Sequence, residues 1–355
     1  MKNMTKSHNS QNGPVGVVGA GSFGLTVAQL LAVGNDVLLF ARDPEVVRTI
    51  NETRTLLGVK LAPRITAVSS YAQIAESCEV IFPVVPSDDF RNMMKNLGPL
   101  LSPRHILIHG TKGLDTLKVK DVMTFSGKLT REDVNTMSRV ITQESNVMRV
   151  GCLSGPNLSK EILEGQPTAT VIASEYDEVV KIGIEVLSSK KIFVFGSSDI
   201  LGAELAGAFK NIIAVGSGYL RGKGLGKNVQ GLFITRGLHE IAYFGGLLGA
   251  DKAAFLGTAG IGDLIATATS SSSRNFNFGF QLGEGKSLKE VLETSEELAE
   301  GVRTLKIAYL LAKTEKTRLP IIETLYKIVY ENLPFEVALD YLMRYPYSKD
   351  VSIHL

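Results

Sequence analysis

The chain has 355 residues, with 38 Lys and Arg against 36 Asp and Glu, a formal net charge of +2. An apolar fraction of 44% with 21% charged residues excludes bulk disorder, and the length fits two domains. The balanced charge excludes a general nucleic-acid or membrane-surface binder, while leaving room for a local basic site.

Two cysteines, Cys78 and Cys152, cannot build a disulfide framework or a cysteine zinc site. They point to reduced thiols in a cytoplasmic protein. No apolar run approaches the roughly 18–20 residues of a spanning helix, so no stable membrane insertion is expected. Residues 1–13 lack the apolar segment of a signal peptide and read as a flexible polar tail. Glycine is in excess: 35 residues, in a chain without extended low complexity. Those glycines should mark places where the backbone adopts special conformations or approaches something closely.

From Pro14 onward, short apolar runs alternate with helix-like stretches. Val15–Val18 reads as a strand, followed by a helical pattern from Ser22 to about Val33. Val37–Phe40 reads as a second strand, followed by a helix opening at Pro44. The runs 79–85, 105–109, 151–154, 169–173 and 192–196 are further strands. Strands spaced by helices imply parallel pairing through crossovers, hence an open α/β sheet with helices on both faces. Pro83, inside the 79–85 run, places that strand beside a bulge or at an edge. Beyond residue 197 the pattern becomes long and helical, at roughly 199–218, 228–248, 300–313 and 320–331.

Gly19-Ala20-Gly21-Ser22-Phe23-Gly24 is a GxGxxG placed directly after a strand and opening a helix. The first glycine permits the tight turn, the second lets backbone approach a pyrophosphate, and the third lets helix and strand pack closely. The helix N-terminus then offers free N–H groups and a positive dipole end to the phosphates. The predicted organisation is therefore a tail at 1–13, a Rossmann-like, doubly wound NAD(P)-binding domain at 14–197 and a mainly α-helical substrate domain at 198–355. After the second strand the order is Arg42-Asp43, with arginine where an NAD-specific site places a carboxylate. A guanidinium suits a 2′-phosphate, which favours NADPH with NAD also usable. The competing reading makes Arg42 a solvated residue and Asp43 the cap of the helix at Pro44.

Two strand-tip loops carry Lys112-Gly113 and Ser154-Gly155-Pro156-Asn157. In the helical half, Lys210 has Ala203, Ala206, Gly207, Ala214 and Ser217 on its own face and no acidic partner at i±3 or i±4. Such a face is built for close approach by another element or a ligand, and a partly desolvated lysine exchanges protons near neutrality. A lysine snorkelling from a helix seam is the plainer alternative. Gly257-Thr258-Ala259-Gly260-Ile261-Gly262-Asp263 is a glycine-dense turn ending in a carboxylate that could partner a buried ammonium. Ser273-Arg274-Asn275 appears where hydroxyl, guanidinium and helix N–H groups together suit a phosphate. The five histidines show no metal spacing, and no metal site is expected.

These motifs together resemble the bacterial NAD(P)-dependent glycerol-3-phosphate dehydrogenases. GAGSFG (19–24), VPS (85–87), TKGL (111–114), SGPN (154–157), ELAGAFKNIIAVGSG (204–218), TAGIGDL (258–264), SSRN (272–275) and EGVRT (300–304) follow the family's order across most of the chain. The resemblance implies reversible reduction of dihydroxyacetone phosphate to sn-glycerol 3-phosphate, a phospholipid precursor, by a cytoplasmic enzyme expected to be a homodimer. It implies Lys210 as acid/base, with Lys112, Gly155, Asp263, Ser273, Arg274 and Asn275 around the substrate. It further implies cofactor contacts at Ser22, Phe23, Arg42, Lys112, Ser159, Arg274, Leu298 and Glu300, beside Gly19, Gly21 and Gly24.

Three features depart from the family pattern. Asn157 stands where serine or threonine is usual, its amide still able to hydrogen-bond substrate; Leu298 opens an LAEG sequence in place of a valine-rich one; and the stretch between TKGL and SGPN is longer. An extra surface loop or helix is expected around 126–138. Other two-domain Rossmann enzymes, of the β-hydroxyacid dehydrogenase or ketopantoate reductase type, share the expected fold and a helix-borne lysine. They would lack the SRN phosphate loop. A non-catalytic NAD(P)-binding sensor would have no need of Lys210, Asp263 and Arg274 together.

Overall fold

A computed structural model describes residues 13–119, 121–295 and 299–344; the tail at 1–12 and Leu298 lie outside the described residues. The chain forms two compact units. One takes in the chain up to Thr111, Met137–Leu153 and Ser159–Ile200; the other takes in Lys112–Thr136, Ser154–Leu158 and the chain from Leu201. A single cut at 197/198 cannot express this, because two short stretches of the first half belong to the second unit.

The first unit is built on an eight-stranded sheet. Its strands are β1 (Val15–Val18), β2 (Val37–Phe40), β5 (Ile65–Val68), β6 (Val80–Pro83), β7 (Ile106–His109), β10 (Arg149–Ser154), β11 (Thr168–Ala173) and β12 (Ile192–Ser197). The hairpin β3 (Thr55–Leu56) and β4 (Val59–Lys60) lies outside it, and the order is β12-β11-β10-β7-β6-β1-β2-β5. Pairing is parallel from β10 through β5 and between β11 and β12. The helices of this unit are α1 (Ser22–Leu31), α2 (Pro44–Thr53), α3 (Tyr71–Ser77), α4 (Ser87–Leu97), α5 (Met137–Glu144), α6 (Ser159–Leu163) and α7 (Asp177–Leu187). Separate apolar clusters, one with Val17, Leu25 and Leu39 and another with Val18, Ile81 and Phe90, show side chains of the sheet buried in two directions. That two-sided burial explains why the strands read as continuous apolar runs rather than alternating ones.

The expectation for Pro83 is corrected. β6 is an interior strand, and Pro83 is its last residue, opposite Val18. The N–H that proline lacks falls where the strand leaves the ladder: Val84 N donates to Val18 O at 2.9 Å and Gly110 N to Pro83 O at 3.0 Å. The edge strand β5 escaped the sequence reading because ITAV is short and weakly patterned.

The second unit is mainly helical. Its helices are α8 (Ile200–Gly222), α9 (Lys227–Leu247), α10 (Asp263–Thr269), α11 (Arg274–Gly283), α12 (Leu288–Thr294), α13 (Glu300–Thr314), α14 (Pro320–Glu331) and α15 (Phe335–Arg344). By length and composition α8 could cross a bilayer, but it is buried within the protein from Gly202 to Leu220. It is a core helix, around which Phe209, Ile212 and Ile213 pack with Phe244, Leu264, Val302 and Leu305.

The extra surface loop or helix expected around 126–138 is part of a longer stretch after Lys112 that is anchored in the helical unit. It closes on itself through β8 (Asp115–Thr116) and β9 (Val134–Asn135), and it buries Leu114, Val122 and Leu129 in the helical core. Arg303 donates to Leu114 O, Lys306 to Met123 O at 2.6 Å, and Arg131 pairs with Glu315 at 2.8 Å. Apolar anchors and buried donors make it a strap over α13.

Helices α8 and α11 meet backbone to backbone. A Cβ at Gly218 would collide with Phe276 O and one at Gly279 with Val215 O; Gly222 and Gly283 extend the seam by one turn. Replacing Gly279 by alanine should therefore force the helices apart and cost about 1–3 kcal/mol. The check is urea unfolding, where the midpoint falls at unchanged slope.

Candidate active site

At the first turn of the α/β unit, Gly19 has φ +124°, a conformation that only glycine adopts readily. A Cβ on Gly24 would collide with Gly19 O, so α1 starts pressed against the strand end, whereas a Cβ on Gly21 would meet nothing within 4 Å. No side chain caps α1 and its first turn holds no acidic residue, so its positive end is uncompensated. This cradle fits a dinucleotide's pyrophosphate. Ser22 and Phe23 begin the helix, and Phe23 packs where a side chain on Gly110 would otherwise lie.

Asp43 accepts from Glu45 N at 2.9 Å as the cap of α2, as the plainer reading foresaw. Arg42 is exposed and has no hydrogen-bond or ion-pair partner among the described residues. It lies close enough to Tyr71 for its charge to oppose the burial that raises that phenol's pKa, and the Tyr71 ring stacks on Phe40 at 4.0 Å. Ser159, the first residue of α6, belongs to this same unit.

The second unit assembles a charged cluster. Lys210 extends from the small-residue face of α8, and its Nζ donates to Asp263 Oδ1 at 2.6 Å and to Thr267 Oγ1. Lys112 Nζ donates to the other carboxylate oxygen, Asp263 Oδ2, at 2.7 Å and to Gly155 O at 2.7 Å. Thr267 Oγ1 in turn donates to Asp263 Oδ1 at 3.1 Å, closing a triangle. Each ammonium keeps one N–H without a protein acceptor among the described residues.

Local sequence explains the presentation. A Cβ on Gly207 would lie 2.9 Å from Ser154 Oγ, so the missing side chain leaves room for that hydroxyl, with the Lys112 stem in ordinary contact at 3.6 Å. The glycine-dense turn Thr258–Gly262 is a π-helical turn running into α10, and Gly260 has no room for a Cβ against the Phe255 backbone. Asp263 and Thr267 follow at i and i+4, hence on one face.

Electrostatics follow from burial. The Lys210 side chain is 6% exposed and that of Asp263 3%, while Lys112 keeps 18%. Burial, helped by the Lys112 charge, pushes Lys210 down to about 8, with Asp263 opposing. Burial alone would raise Asp263, but the Lys112 and Lys210 ammoniums outweigh it and hold the carboxyl below its usual range. Two cations share one anion, so the cluster has a net charge of +1.

The remaining predicted residues surround this centre. Asn211, beside Lys210, donates to Lys112 O at 3.2 Å and accepts from Asn275 Nδ2 at 2.9 Å. Asn275 also accepts from Gly301 N at 2.8 Å, so its amide joins α8, α11 and α13. Ser273 caps α11, accepting from Phe276 N at 3.3 Å, and Arg274 is the first residue of that helix. Burial lowers the Arg274 pKa, and the Glu300 carboxylate at the start of α13 opposes the shift. Asn157 N donates to Gly155 O at 2.8 Å within the same loop. Of the predicted residues, Gly19, Gly21, Ser22, Phe23, Gly24, Arg42 and Ser159 lie in the first unit. Lys112, Gly155, Asn157, Lys210, Asp263, Ser273, Arg274, Asn275 and Glu300 lie in the second.

Sequence reasoning missed Thr267 and Asn211. The i+4 spacing of Thr267 from Asp263 was a usable signal; Asn211 carried none beyond its adjacency to Lys210.

Residues 14–180 match the family described as NAD-dependent glycerol-3-phosphate dehydrogenase N-terminus, and residues 199–340 match its C-terminus. The chain belongs to the NAD-dependent glycerol-3-phosphate dehydrogenase family. A glycerol-3-phosphate dehydrogenase [NAD(P)+] from Syntrophobacter fumaroxidans is 37% identical over 336 residues, 93% of this chain and 95% of that protein. One from Alcanivorax borkumensis is 38% identical over 345 residues, 96% of each. The crystal structure of a glycerol-3-phosphate dehydrogenase from Coxiella burnetii superposes with TM-score 0.83 at 28% identity, covering 94% of this chain and 99% of that one. A ketopantoate reductase from Ralstonia eutropha, at 15% identity and TM-score 0.57, shares the fold alone.

As a member of the glycerol-3-phosphate dehydrogenase family, the chain is an NAD(P)-dependent oxidoreductase, and Asp263 is the counter-charge for both of its clustered lysines. Asp263→Asn should leave the buried Lys210 ammonium and the half-buried Lys112 ammonium uncompensated and cost about 3–5 kcal/mol. Equilibrium unfolding at pH 7 measures the loss.

Proposed function

We propose that this enzyme reversibly reduces dihydroxyacetone phosphate to sn-glycerol 3-phosphate, with NADPH as preferred reductant and Lys210 as general acid/base. The observation that carries the reading is the unpartnered N–H of a buried Lys210 within a cluster of net charge +1. When bound, the nicotinamide supplies or accepts the hydride. Lys210 donates a hydrogen bond to the ketone oxygen, stabilises the charge that develops there and delivers the proton. Asp263 and Thr267 hold the ammonium in place, and Thr267 can pass a proton between its two partners. Lys112 and Arg274, on loop and helix N-terminus, favour the substrate's anionic phosphate. Gly155, Asn157, Ser273 and Asn275 shape its surroundings.

On the cofactor side, the α1 N-terminus and Gly21 cradle the pyrophosphate. The unpaired Arg42 takes the 2′-phosphate, and Ser22, Phe23, Ser159 and Glu300 make further contacts. The enzyme is read as a cytoplasmic homodimer that supplies glycerol 3-phosphate for phospholipid synthesis.

Lys210→Ala should lower kcat by about 10²–10⁴-fold while NADPH still binds, measured by fluorescence titration beside the NADPH-consumption assay. Near-native kcat would falsify the acid/base role. Reduction needs Lys210 protonated, so its kcat should fall above about pH 8, whereas oxidation of glycerol 3-phosphate should rise through the same pH. Arg42→Ala should raise KM for NADPH about 10–100-fold and leave NADH nearly unchanged. Equal losses for both cofactors remove the NADPH preference.

A further inference from the structure

Helix α10, which carries Asp263 and Thr267, has only seven residues, too short to hold its own orientation through its backbone. Its C-terminal carbonyls need partners from elsewhere. The carbonyl of Ala268, the residue after Thr267, receives Ser217 Oγ at 2.6 Å and Gln230 Nε2 at 3.4 Å. Gln230 Nε2 also donates to Ser217 Oγ at 2.8 Å, and Lys227 Nζ donates to Gln230 Oε1 at 2.9 Å. The order of donors is thereby fixed from the exposed Lys227 inward. Ser217 is fully buried and Gln230 is 2% exposed. Ser217 stands two helical turns beyond Lys210, on the same face of α8. One helix therefore supplies both the ammonium and the clamp on the element that holds it.

We infer that Ser217 and Gln230 are positioning residues for the proton-transfer centre, fixing the end of α10 so that Thr267 and Asp263 stay in register with Lys210. The inference rests on the acid/base reading of Lys210. Neither residue has a direct bond to Lys210 or Asp263, so their effect passes through the Ala268 carbonyl. The clamp is anchored in α8 and α9 and does not depend on the Lys112 loop.

The test uses Ser217→Ala and Gln230→Met, which remove the donors with little change in volume. The charged groups facing Lys210 are Asp263 from α10 and Lys112 from its loop. Loosening α10 draws Asp263 and Thr267 away, so the ammonium loses its counter-charge and its pKa falls. Both variants should lower kcat for dihydroxyacetone phosphate about 10-fold. Both should also move the alkaline limb of the kcat profile to lower pH, with the NADPH dissociation constant unchanged. Competitive amine labelling of the full-length protein without ligand should find Lys210 more reactive at pH 7 in both. General loss of folded enzyme lowers kcat without moving the limb, and circular dichroism of the labelled samples separates unfolding from a labelling change in folded protein. An unmoved limb and unchanged labelling in both variants overturn the inference. If Lys210→Ala is inactive in the same series, the acid/base reading survives that outcome; an active Lys210→Ala removes both.

Discussion

The second unit is organised by one carboxylate shared between two ammoniums. Asp263 gives one oxygen to Lys210 and the other to Lys112. Three charges with so little solvent are costly to desolvate, and the arrangement persists only because hydrogen bonds satisfy the carboxylate on both oxygens. The cluster is left with a surplus positive charge. The same burial that makes the cluster expensive brings the Lys210 pKa down to about 8.

The architecture divides the chemistry by what each fold type provides. A parallel sheet ends in loops, and the first of these, with Gly19 in a left-handed conformation and Gly24 without room for a Cβ, offers backbone N–H groups to phosphate. A helical unit provides side chains on rigid faces, and α8 carries Lys210 at fixed height within a core. The strap from Leu114 to Asn135 belongs to this second logic: it steadies the chain that follows Lys112 by burying Leu114, Val122 and Leu129.

Much of this was legible in the sequence, for identifiable reasons. VGVV, VLLF and ILIH are buried on both faces and therefore read as unbroken apolar runs. The missing acidic neighbour of Lys210 correctly signalled that its partner is distant in sequence, and Asp263 stands 53 residues away. The loop-borne Lys112 was harder, because a lone lysine beside a glycine looks the same whether solvated or held by a carboxylate. Pro83 misled because strand propensity treats a proline alike at every position, whereas here the ladder ends at it. The strap misled because its charged residues outnumber its anchors; only three buried apolar side chains reveal its docking. Thr267 was hidden in a stretch, TATSSSS, whose composition suggests a loop.

The glycine seam between α8 and α11 limits how this site can diverge. Helices that meet through side chains can be slid or tilted by exchanging one residue for a larger or smaller one. Here Gly218, Gly222, Gly279 and Gly283 leave only backbone in contact, so no graded series of substitutions is available. The start of α11, where Arg274 sits, is therefore held at a nearly constant offset from Lys210 on α8. Divergence there would have to come through the reach of the side chains that α11 bears, because the helix itself cannot be moved in small steps.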